Sequence, residues 1–176
     1  FGFPSASLAL AGSVANVTIS PLIETTVSSS TVTAAGDVMV AASSNVTADA
    51  TANGITGSTF VAAVGAVPKA TVMPSITTAI DGSSITSTAG NIGLTSLYNL
   101  DASGNSTGRG TSATAFAGSG STFAGSGADA TTESSPRLEA RVNGSATLAA
   151  AGNVSLRSQS DNRQTATAKG QSGGVV

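Results

Sequence analysis

The residues able to do chemistry are few, and their types narrow the choice. The 176-residue chain contains no His and no Cys. Ser-His-Asp triads, imidazole or thiolate metal sites and cysteine nucleophiles are therefore out of reach. Three Glu and six Asp remain. A pair of carboxylates is the machinery of glycoside hydrolysis, and Glu24 and Glu139 do fall at matching positions of a repeat laid out below. Thr77 holds the place between them, so the two carboxylates are expected apart rather than paired. Asp37 and Asp81 have Asn counterparts (Asn91 and Asn153 for the first, Asn143 for the second), which is turn chemistry rather than acid–base chemistry. No catalytic residue, cofactor site or metal site is assigned, and the chain is not expected to be an enzyme.

Calcium fares no better. Calcium-binding β-rolls use G-G-x-G-x-D repeats, whereas the Gly-Asp and Gly-Asn pairs here are single and two of three lack the carboxylate. Thr31-Val32-Thr33 and Thr165-Ala166-Thr167 have the spacing of flat threonine arrays. Their positions do not recur in register along the sequence, so no flat threonine face is expected. The Asn-x-Ser/Thr sequons are little more numerous than a chain this rich in Ser and Thr would contain by chance.

Composition bounds the rest. Net charge is −2 and only 9% of residues are charged. The closest basic group, Arg137 and Arg141, has Glu139 between them. Nucleic-acid binding needs clustered Lys and Arg, so no nucleic-acid partner is expected. The longest apolar run, Phe60 to Val67, is far short of the roughly 20 residues that span a membrane. Ala, Ser, Thr and Gly supply 104 residues, yet 40% of the chain is hydrophobic and net charge is low, which argues against disorder.

The elements that would position side chains come from repetition. Thr33–Val40 (TAAGDVMV) returns as STAGNIGL at Ser87–Leu94 and as AAAGNVSL at Ala149–Leu156. Upstream of each copy stands a proline: Pro21, Pro74 and Pro136, spaced by 53 and then 62 residues. Two residues later come Ile23, Ile76 and Leu138, and six residues after the proline come Val27, Ile80 and Val142. A small polar turn follows, then Val32, Ile85 and Leu148. Gly36-Asp37, Gly90-Asn91 and Gly152-Asn153 close each block.

Period-two alternation after each Gly-Asx pair, in Val38-Val40-Ala42, Ile92-Leu94-Ser96 and Val154-Leu156-Ser158, predicts strands with one buried face. The prolines lack a ladder donor and belong at strand starts. Gly36, Gly90 and Gly152 are predicted in tight turns, at least two with positive φ. Val46, Ala48, Ala50 and Ala52 alternate, as do Phe60, Ala62, Val64 and Ala66. Residues 103–127 thin into Gly and Ser and read as a loop or a loose hairpin. Tyr98 and most of the five Phe are assigned to core packing.

Repeats that cannot bury their own faces must stack on neighbours. The fold class expected is all-β, a repetitive β-solenoid of about three repeats, with Asp37, Asn91 and Asn153 forming a column. The alternative is an antiparallel β-sandwich built from repeated hairpins. The whole of 1–176 reads as one domain, with repeat blocks at about 14–66, 67–128 and 129–176. Each block holds either several coils or one coil plus a hairpin, and the first begins mid-pattern at SVANVTISP without a preceding strand.

With these residues in place, the pattern of an apolar strand, a small turn, T-A-G-[DN]-[VI]-x-[VL] and Ala/Thr alternation resembles the tandem repeats of giant bacterial filamentous-haemagglutinin-like and leukotoxin-type adhesins. That resemblance implies an extended β-solenoid, an extracellular or cell-surface location, and a role as fibre or adhesive stalk. Neither end of the chain carries a charged cap. The expected partner is therefore a neighbouring copy, or adjacent repeats of the same polypeptide, with Phe1 and Phe3 as anchors. Surface glycans are the alternative partner.

Overall fold

A computed structural model describes residues 6–174. Phe1 and Phe3 lie outside the described residues. Among the described residues there are sixteen strands, arranged as three coils of one design. Coil 1 (8–57) runs through β1 (Leu8–Ile19), β2 (Leu22–Ser28), β3 (Thr31–Ala34), β4 (Val38–Ser44) and β5 (Ala48–Gly57). Coil 2 (61–121) repeats this with β6 (Val61–Val72), β7 (Ser75–Asp81), β8 (Ser84–Ser87), β9 (Ile92–Tyr98) and β10 (Thr111–Ser121). Coil 3 (123–174) splits its first strand into β11 (Phe123–Ala128) and β12 (Thr131–Ser134). It then continues as β13 (Arg137–Asn143), β14 (Thr147–Ala150), β15 (Val154–Ser160) and β16 (Gln164–Gly174).

Among the described residues, no strand pairs with its sequence neighbour. Each pairs in parallel with its equivalent one coil away, so five sheets run along the axis. This is a β-solenoid, and the parallel pairing excludes the antiparallel sandwich. Each repeat is a single coil, not several coils or a coil plus hairpin. The registers match the sequence columns: Ile23–Ile76–Leu138 and Val27–Ile80–Val142, Val32–Ile85–Leu148, and Val40–Leu94–Leu156. Pro21, Pro74 and Pro136 each stand immediately before a strand. There their missing N–H costs no ladder bond, while the carbonyls of Pro21 and Pro74 accept from Ser75 and Arg137 one coil on.

Within a coil the chain runs out along β1 and β2, turns through β3 and returns along β4 and β5. The β1/β6 wall packs on β5/β10, and β2/β7 packs on β4/β9. The core is graded in side-chain size. Between β7 and β9 it holds Ile80, Ile85, Ile92 and Leu94. Between β6 and β10 it is built from Ala52, Ala66, Ala115 and Ala117 around Val64. Alanine lets the walls close up there. Gly54 marks how far: a Cβ at this position would meet Val64 Cγ2 at 2.5 Å. Threonines tie the walls together where the core is polar. Thr78 Oγ1 donates to the Thr95 carbonyl at 2.9 Å, and Thr25 Oγ1 does the same to Ala41 at 3.1 Å one coil earlier.

Several sequence expectations need correction. Of the stretch 103–127 read as a loop or loose hairpin, 103–110 is a loop, but the rest is the fully paired strand β10 and most of β11. Its glycines and serines suit it to a thin section between two close walls. The first block is not missing a strand: Leu8–Ala15 pairs along Val61–Pro68, so coil boundaries fall about a half-strand earlier than the sequence blocks. Of the aromatics in the described region, only Tyr98 is in the core. Phe60 and Phe123 stack edge-on outside it, with centroids 5.4 Å apart. As expected, Thr31-Val32-Thr33 and Thr165-Ala166-Thr167 share no register, since they lie in different sheets. Thr165-Ala166-Thr167 pairs with Ser112-Ala113-Thr114, which pairs with Asp49-Ala50-Thr51, so a single column, Thr51–Thr114–Thr167, is threonine throughout. The unequal repeat lengths hid this alignment, and Asp49 interrupts the other row of hydroxyls.

The expected positive φ at Gly36, Gly90 and Gly152 is not found. These residues occupy bends between the β3-type and β4-type strands, outside the left-handed region. The left-handed column is the other turn, where Ser29, Gly82 and Gly144 have φ of 47°, 54° and 62°. Ser29 is thus the one residue of this column that bears a side chain in a conformation suited to glycine. Ser29→Gly should stabilise the chain by about 0.5–1 kcal/mol, the left-handed penalty less the glycine entropy cost. Urea unfolding checks this, and a loss of stability would contradict it.

Candidate functional site

Three surfaces depart from the regular coil and carry the candidates for function. The first is the pair of open ends. Among the described residues, the strands of coil 1 and coil 3 pair on one side only. At the coil-3 end the core itself is open. Val154 and Leu156 continue the columns of Ile92 and Leu94, which are 0% exposed, yet they are 45% and 50% exposed. Val40, in the same column at the other end, is only 6% exposed, so the coil-3 end is the more open of the two. The turn column reaches this end as well. Asn91 N–H donates to Asp37 Oδ1 at 2.7 Å and Asn153 N–H to Asn91 Oδ1 at 2.9 Å.

Charge is also unevenly placed along the axis. Coil 1 carries Glu24, Asp37 and Asp49 and no basic residue, whereas five of the seven basic side chains belong to coil 3. Glu24 and Glu139 share a column with Thr77 between them, so they are two coils apart, about 9.6 Å at ordinary strand spacing. Glu139 is held between Arg137 (3.9 Å) and Arg141 (3.3 Å). The two carboxylates do not converge on a shared cleft.

The second surface is an apolar strip on the outer face of the β1–β6 sheet. Leu8, Leu10 and Val14 project there from β1 beside Val67 and the Phe60–Phe123 pair, and all of them are exposed.

The third is an inserted flap, 99–110. The β9–β10 connection has twelve residues, where the corresponding connections, 45–47 and 161–163, have three. These nine extra residues account for the longer proline spacing of the second repeat. The flap is well anchored. Asn99 is fully buried with φ 54°, and its Oδ1 accepts from Val46 N–H at 2.8 Å. Thr107 N–H and Oγ1 both donate to the Asn99 carbonyl, and Leu100 bridges Ser106. Ser106 Oγ donates to Asp161 in coil 3. Asp101 closes the flap tip, where its two oxygens accept from Asn105 N–H at 2.8 Å and Asn105 Nδ2 at 3.1 Å. These bonds from Asn105 hold its carboxyl below the ordinary value.

Beneath the flap, on the outer face of the β4–β9–β15 sheet, lies a groove of about 220 Å³. Its floor and sides come from Met39, Ala41, Thr95 and Leu97, its wall from Leu100 and Asp101. Sequence reading missed this groove entirely. The only available signal was the nine-residue difference in repeat spacing.

No protein family, curated protein or solved structure matches this chain. Function therefore rests on the fold and on the surfaces just described.

Proposed function

We propose that this chain is a structural segment of an extracellular bacterial filament or matrix fibre, extended end to end by further coils of the same kind. One observation carries the reading: the coil-3 end presents unpaired parallel strands over a half-open core at Val154 and Leu156. Unpaired edges template further pairing. A parallel ladder is continued only by laying a coil-1 face on a coil-3 face, which is a heterologous contact that grows rather than closes. Coil 1 has three acidic and no basic residues, and coil 3 has five basic against four acidic, a net +1, which suits that order weakly and disfavours two coil-1 faces meeting. The next coil is supplied by another copy or by adjacent repeats of one polypeptide. The resemblance of the repeats to filamentous-haemagglutinin-like adhesins supports an extracellular or cell-surface location.

An adhesive, glycan-binding role draws less support. Tyr98 is buried and the Phe60–Phe123 pair forms a ridge rather than a groove, whereas sugar-binding clefts are typically concave and aromatic-lined. A paired-carboxylate hydrolase would need Glu24 and Glu139 to act together, and Thr77 stands between them.

Sedimentation and electron microscopy of the purified chain test the proposal. Concentration-dependent growth of thin rods is expected. Leu156→Lys should stop growth while leaving the far-UV circular dichroism unchanged, because the site is already half exposed. Leu10→Lys, on the lateral strip, should not stop it. Growth halted by Leu10→Lys and indifferent to Leu156→Lys would replace end-on assembly with lateral packing, and a monomer at all concentrations would sink the reading for the isolated chain.

A further inference from the structure

The groove under the flap has a counterpart on the flap's other side, and the two are filled differently. One outward column of the β4–β9–β15 sheet runs Ala41, Thr95, Arg157, one residue per coil. The flap springs from coil 2 and overhangs both neighbours. On the coil-3 side, the Arg157 guanidinium lies against the bare backbone of Gly104, so close that a Cβ there would collide with it. Its Nε donates to Gln159 Oε1 at 2.9 Å. On the coil-1 side the equivalent residue is Ala41. A methyl group stands where coil 3 places an arginine, and the unfilled space is the groove of about 220 Å³.

The lining states what would fit there. Asp101 is the only charged group among the lining residues. Its carboxylate oxygens accept from Asn105 N–H and Nδ2, with the Ser103 and Gly104 backbone N–H groups also turned towards it, and the charge stands exposed to solvent at the rim of the groove. Met39, Leu97 and Leu100 offer an apolar bed, and Met39 is an adaptable one. A long cationic side chain buries its stem on apolar surface while its head stays polar. Guanidinium is also the more weakly hydrated of the biological cations and loses less on leaving water. The groove corresponds to roughly seven water volumes, enough for a butyl chain and its head group.

We propose that this groove binds a guanidinium or ammonium group carried on an aliphatic stem, with the charge at Asp101 and the stem over Leu97 and Leu100. The same chemistry is offered by a free small cation and by an arginine side chain of a polypeptide. The proposal does not depend on filament assembly.

Titration of the isotope-labelled full chain by NMR tests it, with n-butylguanidinium as probe, acetyl-Gly-Arg-Gly-amide as the polypeptide probe and n-butanol as the uncharged control. Saturable shifts are expected at residues 39–45 and 95–105. Ala41→Arg should abolish them by filling the groove from within, since the same column already accepts Arg157. Asp101→Asn keeps an acceptor for the Asn105 N–H but removes the charge, and should weaken n-butylguanidinium binding by about tenfold. Should Ala41→Arg fail to fold, Asp101→Asn carries the test. Saturation by both probes assigns the groove to an arginine side chain; saturation by n-butylguanidinium alone assigns it to a free small cation. The proposal is overturned if neither probe saturates, if n-butanol binds as tightly as n-butylguanidinium, or if a folded Ala41→Arg binds like the parent.

Discussion

Gly90→Ala should destabilise the chain by about 3 kcal/mol or more, while Gly36→Ala, at the same position one coil earlier, should change stability by about 0.5 kcal/mol or less. The two differ only in what lies beneath them. A Cβ on Gly90 would stand 2.5 Å from Asp37 N, 2.6 Å from Asp37 Oδ1 and 2.6 Å from Gly36 C. Those atoms are mostly backbone and cannot swing aside. Moving them breaks the Asn91 N–H bond to Asp37 Oδ1 and the Val38 N–H bond to the Asn91 carbonyl, each worth about 1 kcal/mol, on top of a typical overpacking cost of about 1–3 kcal/mol. A Cβ on Gly36 meets nothing within 4 Å. Denaturant midpoints of the two variants decide the matter. Equal costs would mean that turn conformation, not coil-to-coil approach, is what these glycines serve.

Leu94→Ala should cost about 2–5 kcal/mol and Leu156→Ala no more than about 1.5 kcal/mol. Both leucines occupy one column and differ by one coil. Leu94 is 0% exposed between Val40 and Leu156, and truncating it leaves a cavity enclosed by strands on both sides. Leu156 is 50% exposed, so half of its transfer free energy is never realised and no closed cavity forms. Measured at dilution, the ratio reports the open end directly. The same pair measured on assembled material should converge, because an added coil would bury Leu156 as Leu94 is buried now. A Leu156→Ala cost equal to that of Leu94→Ala at dilution would show that the coil-3 end is already covered, and would remove the motive for end-to-end growth.

The sixteen strands owe their existence to local sequence. Alternation such as Val38-Val40-Ala42 imposes the extended conformation and the inward face, and Pro21, Pro74 and Pro136 mark where a coil changes direction. The columns Ile23–Ile76–Leu138 and Val32–Ile85–Leu148 follow from spacing alone, because the same short-range pattern recurs three times and like turns stack on like. Low charge and the lack of His and Cys likewise narrow the chemistry by residue type, wherever those residues sit in the fold.

What the tertiary structure decided is everything that depends on atoms a full coil away. Whether successive strands fold back as hairpins or pair across 53 residues is not written in a period of two. Parallel stacking is what turned residues 111–127 of the Gly- and Ser-rich segment into paired strands instead of a loop. Gly90 and Gly152 are demanded by the Asp37 and Asn91 atoms of the preceding coil, not by their own φ, whereas Gly36 has open space beneath it. Left-handed backbone belongs to the turn column of Ser29, Gly82 and Gly144 and, in the flap, to Asn99, Gly104 and Gly108. The phenylalanines of the described region were free to lie outside because alanine walls approach too closely to admit a ring. Ala41 and Arg157 look unrelated in the sequence, 116 positions apart. Stacking sets them in one column on either side of a flap, and only there does the size of a side chain decide which side is filled and which is left as a groove.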